Sequence, residues 1–224
     1  MPSTISDDDA EAIAIPWEGD PLAGLWREPR GAKWLYVFAH GAGAGMHHPF
    51  LVAMAAALAE RGIATLRWEQ PAMTRGGRRP DRPAAVETMA RAACEHARAL
   101  RPKARLAAGG KSMGGRMTSL TASRAPLDGV RALVFLGFPL HPAGRPGVER
   151  AAHLAAVDLP MLFVSGTRDA LAEIGLLRQA LSPLPRARLL ELDGADHGLA
   201  LPKRAGIDPI AVAADAVHAF LTSL

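Results

Sequence analysis

A short segment in which one serine stands among glycines constrains the fold more than any other feature of this chain. An apolar run leads into Gly109-Gly110-Lys111-Ser112-Met113-Gly114-Gly115, and residues suited to a helix continue to about position 124. Gly110 and Gly114 flank Ser112 at the two positions of a G-x-S-x-G pattern where small residues let the chain turn sharply. The segment therefore predicts a strand, a nucleophile elbow carrying an exposed serine hydroxyl, and a helix whose first amide, that of Met113, can donate to an anion.

Two other interpretations of the same segment stay open at this point. A glycine-rich turn before a helix would have the same residues without any chemistry. A phosphate-binding loop would need another glycine five residues before Gly110, and that position holds Arg105. A nucleotide site is therefore not favoured.

The rest of the chain alternates apolar strands with helical segments. Runs typical of buried strands lie at 34–39, 63–68, 104–108, 131–138, 159–165 and 188–192. Helical spacing falls at about 49–61, 86–100, 113–124 and 171–181, and a last helix follows Asp208-Pro209. This alternation predicts an α/β fold with a mostly parallel sheet covered by helices on both faces.

Two segments depart from the alternation. Residues 13–15 and 22–26, on either side of a turn at 18–21, predict an antiparallel hairpin at the sheet edge, and residues 1–11 are expected to be frayed. Segment 139–158, which contains three prolines, is the place for a lid but is too short for a cap domain. We therefore expect a single domain over residues 1–224 with an open site.

Composition argues against several classes of protein. A chain with 49% hydrophobic and 21% charged residues is typical of globular proteins, and its apolar runs are too short to cross a membrane. The acidic N-terminus is unlike a signal peptide, so we expect a cytoplasmic protein without a membrane partner. The net charge of +4 is scattered, which does not favour a nucleic-acid partner. Cys94, the only cysteine, rules out an internal disulfide and is expected to be a packing residue.

An activated serine needs a base and an acidic residue that orients the base. Asp169 follows the predicted strand 159–165, and His197 follows the strand 188–192. Both positions lie at carboxyl ends of parallel strands, where groups from separate strands meet. Asp193 and Asp196 compete for the acid role, but Asp196 is adjacent to the histidine in sequence and Asp193 can simply cap a turn. Asp169 is therefore the preferred acid.

A second oxyanion donor is expected in the loop after strand 34–39, His40-Gly41-Ala42-Gly43-Ala44-Gly45. Its small residues let the backbone approach a substrate carbonyl, and we assign the donor to the Ala42 N–H, together with that of Met113. A flexible glycine turn without function is the alternative.

Several further residues are weaker candidates. Arg75, Arg78, Arg79 and Arg82 cluster in a loop at a carboxyl strand end, where Arg78 and Arg79 could hold an anionic substrate. A solvated loop with an ion pair through Asp81 is the favoured alternative. His141 could line the pocket. His47-His48 has no carboxylate or cysteine at ligand spacing, so no metal site is expected.

The elbow, the loop that begins at His40, Gly166-Thr167-Arg168-Asp169 and Asp196-His197-Gly198 together resemble the α/β-hydrolase superfamily. Over about residues 22–222 the chain resembles the small dienelactone-hydrolase-like branch that is similar to the hydrolase region of NSL-complex regulatory subunits. The resemblance implies a hydrolase of carboxylic esters or related acyl compounds with a small-molecule substrate and no cofactor. Dienelactone hydrolases proper have a cysteine nucleophile where this chain has Ser112, so their substrate is not carried over.

A catalytically silent hydrolase fold that serves as an interaction module is the remaining rival, because a fold alone does not establish function. Ser112, Asp169 and His197 are all present, which favours an enzyme. Substrate identity and oligomeric state are not predicted by the sequence.

Overall fold

The computed structural model describes residue 7 and residues 9–77, 79–202 and 205–224. It contains the strands β1 (Glu11–Ile15), β2 (Leu22–Arg27), β3 (Trp34–Ala39), β4 (Ile63–Trp68), β5 (Arg105–Lys111), β6 (Val130–Leu136), β7 (Met161–Gly166) and β8 (Ala187–Leu192). These form one eight-stranded sheet in the order β1-β2-β4-β3-β5-β6-β7-β8. β1 with β2 and β2 with β4 are antiparallel, and the remaining neighbours are parallel.

The helices surround this sheet. They are α1 (Pro49–Glu60), α2 (Pro71–Thr74), α3 (Pro83–Leu100), α4 (Met113–Arg124), a 3₁₀ helix (Glu149–Ala156), α5 (Ile174–Leu181) and α6 (Pro209–Thr222). α6 begins at the predicted cap, where the Asp208 carboxylate accepts from the Ile210 N–H at 2.9 Å. Among the described residues, no helix combines the length and apolar character needed to cross a bilayer.

Burial explains why the central strands are mostly apolar in sequence, with Thr65 and Arg67 the polar residues of β4. All six residues of β3 and all six of β4 are buried, as expected for parallel strands covered on both faces. α1 and α6 pack on one face against residues such as Tyr36 and Phe38. α3, α4 and α5 cover the other face, against residues such as Phe135 and Phe163. The predicted α/β architecture, with helices on both faces and an N-terminal antiparallel hairpin, is confirmed, and no cap domain interrupts the described chain.

Strand β5 extends further than the apolar run predicted. It continues through Gly109 and Gly110 to Lys111, because these glycines lie against neighbouring strands. A Cβ on Gly109 would overlap the Val134 carbonyl, and one on Gly110 would overlap that of Ala39. The glycines therefore belong to the sheet as well as to the turn.

Two short helices were not predicted. α2 lies in the segment that was expected to be a loop, and the 3₁₀ helix lies in the lid segment. Elements of four and eight residues give too few turns for a periodic apolar pattern. Of the N-terminal residues expected to be frayed, 1–6 and 8 lie outside the described part, while Glu11 begins β1.

Candidate active site

The elbow holds Ser112 in an unusual backbone conformation. Its φ of 51° and ψ of −119° place it outside the common regions for a residue with a side chain. The turn can be this tight because Gly114 packs against the strand that ends at Ala39. A Cβ on Gly114 would overlap the His40 carbonyl, so the glycine pattern follows from the close approach of two chain segments. Ser112 is consequently fixed at the carboxyl edge of the sheet, at the start of α4.

The structure brings the Ser112 hydroxyl, the His197 imidazole and the Asp169 carboxylate together. Ser112 Oγ lies 2.8 Å from His197 Nε2. His197 Nδ1 lies 2.8 Å from Asp169 Oδ2 and 3.0 Å from Oδ1. Because a carboxylate only accepts hydrogen bonds, Nδ1 carries the proton and Nε2 is free to accept from the serine. This arrangement is suited to removing the hydroxyl proton.

Asp169 is rigidly held after the end of β7. Its side chain is completely buried, and Oδ1 also accepts from the Leu171 N–H at 2.7 Å. His197 lies in the loop after β8, and its side chain is 26% exposed. The pair therefore combines a buried carboxylate with an imidazole that solvent can reach.

The two competing carboxylates have other partners. Asp193 accepts from the Thr167 hydroxyl at 3.1 Å. Asp196 Oδ1 accepts from the Ala200 N–H at 3.0 Å, which closes the turn that contains His197. Both carboxylates stabilise loops, and neither contacts the imidazole.

The glycine loop, residues 40–47, runs beside the elbow. A Cβ placed on Gly41 would lie 3.6 Å from Ser112 Cβ, so the loop passes within about one side-chain atom of the serine. Ala44 N donates to Gly41 O at 3.3 Å, which makes Ala42 a central residue of a turn. Within the described chain, neither the Ala42 N–H nor the Met113 N–H has a protein acceptor. Both amides are thus available to a ligand.

His40 and Glu69 hold the glycine loop in place, and the sequence did not predict either role. The buried His40 ring lies 2.7 Å from Gly41 O through Nδ1, and its Nε2 accepts from the Gln70 N–H at 3.2 Å. Burial lowers the pKa of His40, which favours the neutral ring that this arrangement needs. Glu69 Oε2 accepts from the Met46 N–H at 3.1 Å. His40 and Glu69 hold the glycine loop through hydrogen bonds between side chain and backbone. Such bonds leave no characteristic residue spacing in the sequence.

Arg67 completes the support of the glycine loop from β4. Its side chain is fully buried and donates to Met46 O at 3.1 Å. It also pairs with Asp7, at 2.5 Å between Nη2 and Oδ1. Charged groups at the end of β4 therefore fix both polar atoms of the Met46 backbone.

The weaker sequence candidates lie in varied surroundings. His141 is buried, with Nδ1 2.9 Å from Pro142 O and Nε2 accepting from the Glu173 N–H at 3.0 Å. Both of its ring nitrogens are therefore engaged with the backbone. Arg79 is exposed and pairs with no described residue, and Arg78 lies outside the described residues. In the same loop, Arg75 lies 3.8 Å from Asp81.

The two adjacent histidines, 47 and 48, have separate contacts. His48 Nδ1 accepts from the Phe50 N–H at 3.2 Å and caps α1, while His47 lies 3.5 Å from Asp7. In the part of the chain that the structure describes, no three His, Cys, Asp or Glu side chains are grouped as a metal site would require.

Comparison with known proteins places this geometry in a family. The model of a family described as an alpha/beta hydrolase domain matches residues 32–223. The chain belongs to this family. The matched segment contains β3 to β8, the elbow, and all three residues of the hydrogen-bonded chain described above.

Solved structures share the fold of this α/β-hydrolase domain over nearly their whole length. The dienelactone hydrolase of Anabaena variabilis ATCC 29413 is 22% identical, with a TM-score of 0.77 over 96% of this chain and 97% of that chain. XC6422 of Xanthomonas campestris, an α/β serine hydrolase without a lid, is 20% identical, with a TM-score of 0.73 over 96% and 95%. Est1E of Butyrivibrio proteoclasticus is 17% identical, with a TM-score of 0.73 over 95% and 98%. At these identities the likeness concerns the fold.

Proposed function

We propose that this α/β-hydrolase domain is a serine hydrolase that cleaves a carboxylic ester or a related acyl bond through an acyl-enzyme intermediate. Ser112 is the nucleophile, His197 the general base and Asp169 the acid that orients it. The hydrogen-bonded chain from Ser112 Oγ through both nitrogens of His197 to Asp169, with each step at 2.8 Å, carries the proposal. Three side chains from separate loops meet in the order and with the tautomer that such chemistry needs.

Acylation follows from the positions of the protons. His197 Nε2 takes the proton of Ser112 as Oγ attacks the carbonyl carbon, and the imidazolium that forms is stabilised by Asp169 at Nδ1. The tetrahedral intermediate collapses when Nε2 returns the proton to the leaving alcohol. The products of this half-reaction are the free alcohol and an ester of Ser112.

Two backbone amides support the charged intermediate. The N–H groups of Met113 and Ala42 are the proposed oxyanion donors, since neither has a protein acceptor in the described chain, Met113 directly follows the serine and Ala42 lies in the glycine loop beside it. In deacylation water gives a proton to His197 and attacks the acyl carbon, and the bond from that carbon to Ser112 Oγ then breaks as His197 returns the proton to Oγ and the carboxylic acid leaves. Loss of one such donor typically costs about 3 kcal/mol of transition-state stabilisation.

A small ester is the proposed substrate, and no cofactor takes part. In the described structure the segment between β6 and β7 holds only a short 3₁₀ helix, and both Ser112 and His197 are partly exposed, so the serine can be reached from solvent. Est1E, which shares the fold, has been solved with ferulic acid bound. The proposed reaction needs neither a nucleic acid nor a membrane. The sequence resemblance to NSL-complex subunits remains a prediction. Arg79 remains a candidate contact for an anionic substrate.

The test compares ester hydrolysis and covalent labelling. Wild-type protein should hydrolyse a short-chain nitrophenyl ester and react with a fluorophosphonate at Ser112, and Ser112→Ala should lose both activities. Ser119→Ala is the matched control, because Ser119 Oγ lies 2.7 Å from His153 Nε2 in a second serine–histidine pair. No described carboxylate completes that pair, so this variant should react like the wild type. Absence of hydrolysis and labelling in the wild type would instead support the silent interaction module.

A further inference from the structure

Lys111 occupies an unusual position for a lysine, directly before Ser112. It is only 8% exposed, and its Nζ donates to the backbone carbonyl of His197 at 2.6 Å. The ammonium also lies 5.5 Å from the centre of the Phe50 ring, at the start of α1. The end of β5 is thus linked directly to the loop that carries the histidine.

The surroundings of this ammonium are unfavourable for its charge. Burial lowers the pKa of Lys111 to about 8, although the carboxylates of Asp169 and Asp196 oppose the shift. Among the described residues, no carboxylate forms an ion pair with Nζ. A buried cation without an ion-pair partner costs stability. Its presence here is therefore not explained by stability.

The neighbouring chain leaves room for the contact. A Cβ on Gly137, directly after β6, would lie 2.8 Å from Lys111 Nζ and 2.9 Å from the His197 carbonyl oxygen. Gly137 has a φ of +66°, which glycine adopts without strain. The lysine and the carbonyl thus meet in a space that a side chain at position 137 would fill.

The bond from Lys111 to the His197 carbonyl joins the two chain segments that carry His197 and Ser112. The turn around His197 closes on itself through Asp196 and Ala200. The Lys111 bond connects this turn to the elbow. Reacting groups lose about 100-fold in rate when they are misplaced by about 1 Å, so the distance between the two loops matters for the Ser112–His197 contact.

We propose that Lys111 is a positioning residue: its ammonium holds the His197 backbone so that the imidazole faces Ser112 Oγ. The proposal rests on the proposed function, because Ser112 and His197 are the reacting pair in that chemistry. Lys111 acts through His197 and does not touch the substrate.

The experiment compares Lys111→Met with the wild type in ester hydrolysis, in the rate of fluorophosphonate labelling and in thermal unfolding. Methionine has a similar volume and fits an apolar site, so the unfolding temperature should be unchanged or higher. We expect kcat and the labelling rate to fall by about 10- to 100-fold, with KM nearly constant. A purely structural lysine would instead lower the unfolding temperature and leave kcat per folded molecule unchanged. Lys33 is exposed, so Lys33→Met is the matched control and should leave hydrolysis, labelling and the unfolding temperature unchanged.

A double-mutant comparison tests whether Lys111 acts through the histidine. In the His197→Ala background, Lys111→Met should produce no further loss of the residual labelling rate. An equal loss in both backgrounds, or a Lys111→Met variant that labels as fast as the wild type, would overturn the positioning role while leaving the serine hydrolase intact. A wild-type protein that neither labels nor hydrolyses would overturn the proposed function itself.

Discussion

Replacing Asp169 with asparagine tests the orientation of the histidine. Both carboxylate oxygens are acceptors: Oδ1 binds the Leu171 N–H at 2.7 Å and Oδ2 binds His197 Nδ1 at 2.8 Å. Asparagine has one oxygen and one NH₂ group. If the oxygen stays with Leu171, the NH₂ group faces Nδ1 and selects the tautomer with a proton on Nε2, which cannot accept from Ser112. If the amide is reversed, two N–H donors face each other at Leu171 at a cost of about 1–3 kcal/mol.

The first arrangement avoids that cost, so Asp169→Asn should fold with nearly native stability. Its His197 should no longer be able to accept the proton of Ser112. We expect kcat/KM for a nitrophenyl ester to fall by about 10³- to 10⁴-fold. This corresponds to about 4–5.5 kcal/mol of transition-state stabilisation. Initial rates measured alongside circular dichroism and thermal unfolding would separate loss of chemistry from loss of fold.

Asp193→Asn and Asp196→Asn are matched controls for this experiment. Asparagine keeps the oxygen that each residue uses, to accept from the Thr167 hydroxyl and from the Ala200 N–H respectively. Their kcat/KM should stay within a fewfold of the wild type. The assignment of Asp169 would be refuted if kcat/KM fell by less than tenfold in Asp169→Asn, or if it fell by more than tenfold in either control.

Other outcomes test the surroundings of the site and the core. Glu69→Ala removes the acceptor of the Met46 N–H, so the free energy of unfolding in urea should fall by about 1–3 kcal/mol. Gly110→Ala should lose more than about 3 kcal/mol or fail to fold, visible in soluble yield and unfolding temperature, because its Cβ would overlap the neighbouring strand. Burial raises the pKa of Cys94 to about 12, so a disulfide reagent at pH 8 should modify it only after unfolding. Burial lowers the pKa of His153 from 6.5 to about 4, so the unfolded chain binds the proton first and stability should fall from pH 6.5 to 4. His153→Gln should reduce that fall by about 1 kcal/mol, allowing for solvent screening, and equal slopes in both proteins would contradict this.

The fold was largely predictable because its central strands are buried on both faces. β3 and β4 were predicted with their observed bounds, since strands without a solvent-facing side are mostly apolar, with Thr65 and Arg67 the polar residues of β4. β5 was predicted too short because its last residues are glycines, which sequence patterns associate with turns. They lie in the sheet because adjacent backbones leave no room for a Cβ, and this packing depends on strands distant in the sequence.

The candidate site was predictable where topology determines position. Asp169 and His197 follow strands of a parallel sheet, so knowing the strands was enough to expect both side chains at the same edge as Ser112. The sequence preferred Asp169 among three aspartates, but which carboxylate contacts the imidazole depends on loop conformation within a few residues of each strand end. Asp196 is adjacent to the histidine in sequence, yet its carboxylate is directed to the Ala200 N–H.

The residues that hold the loops of the candidate site in place were not indicated by the sequence, and they share one physical feature. His40 contacts the Gly41 carbonyl, Glu69 accepts from the Met46 amide and Lys111 donates to the His197 carbonyl. In each case a buried polar side chain fixes the backbone of a loop that carries a proposed catalytic group. Any residue type offers a backbone partner, so these bonds leave no spacing or periodicity in the sequence. These buried polar residues lie at the carboxyl ends of β3, β4 and β5, so the ends of parallel strands are where further supports of such loops should be sought.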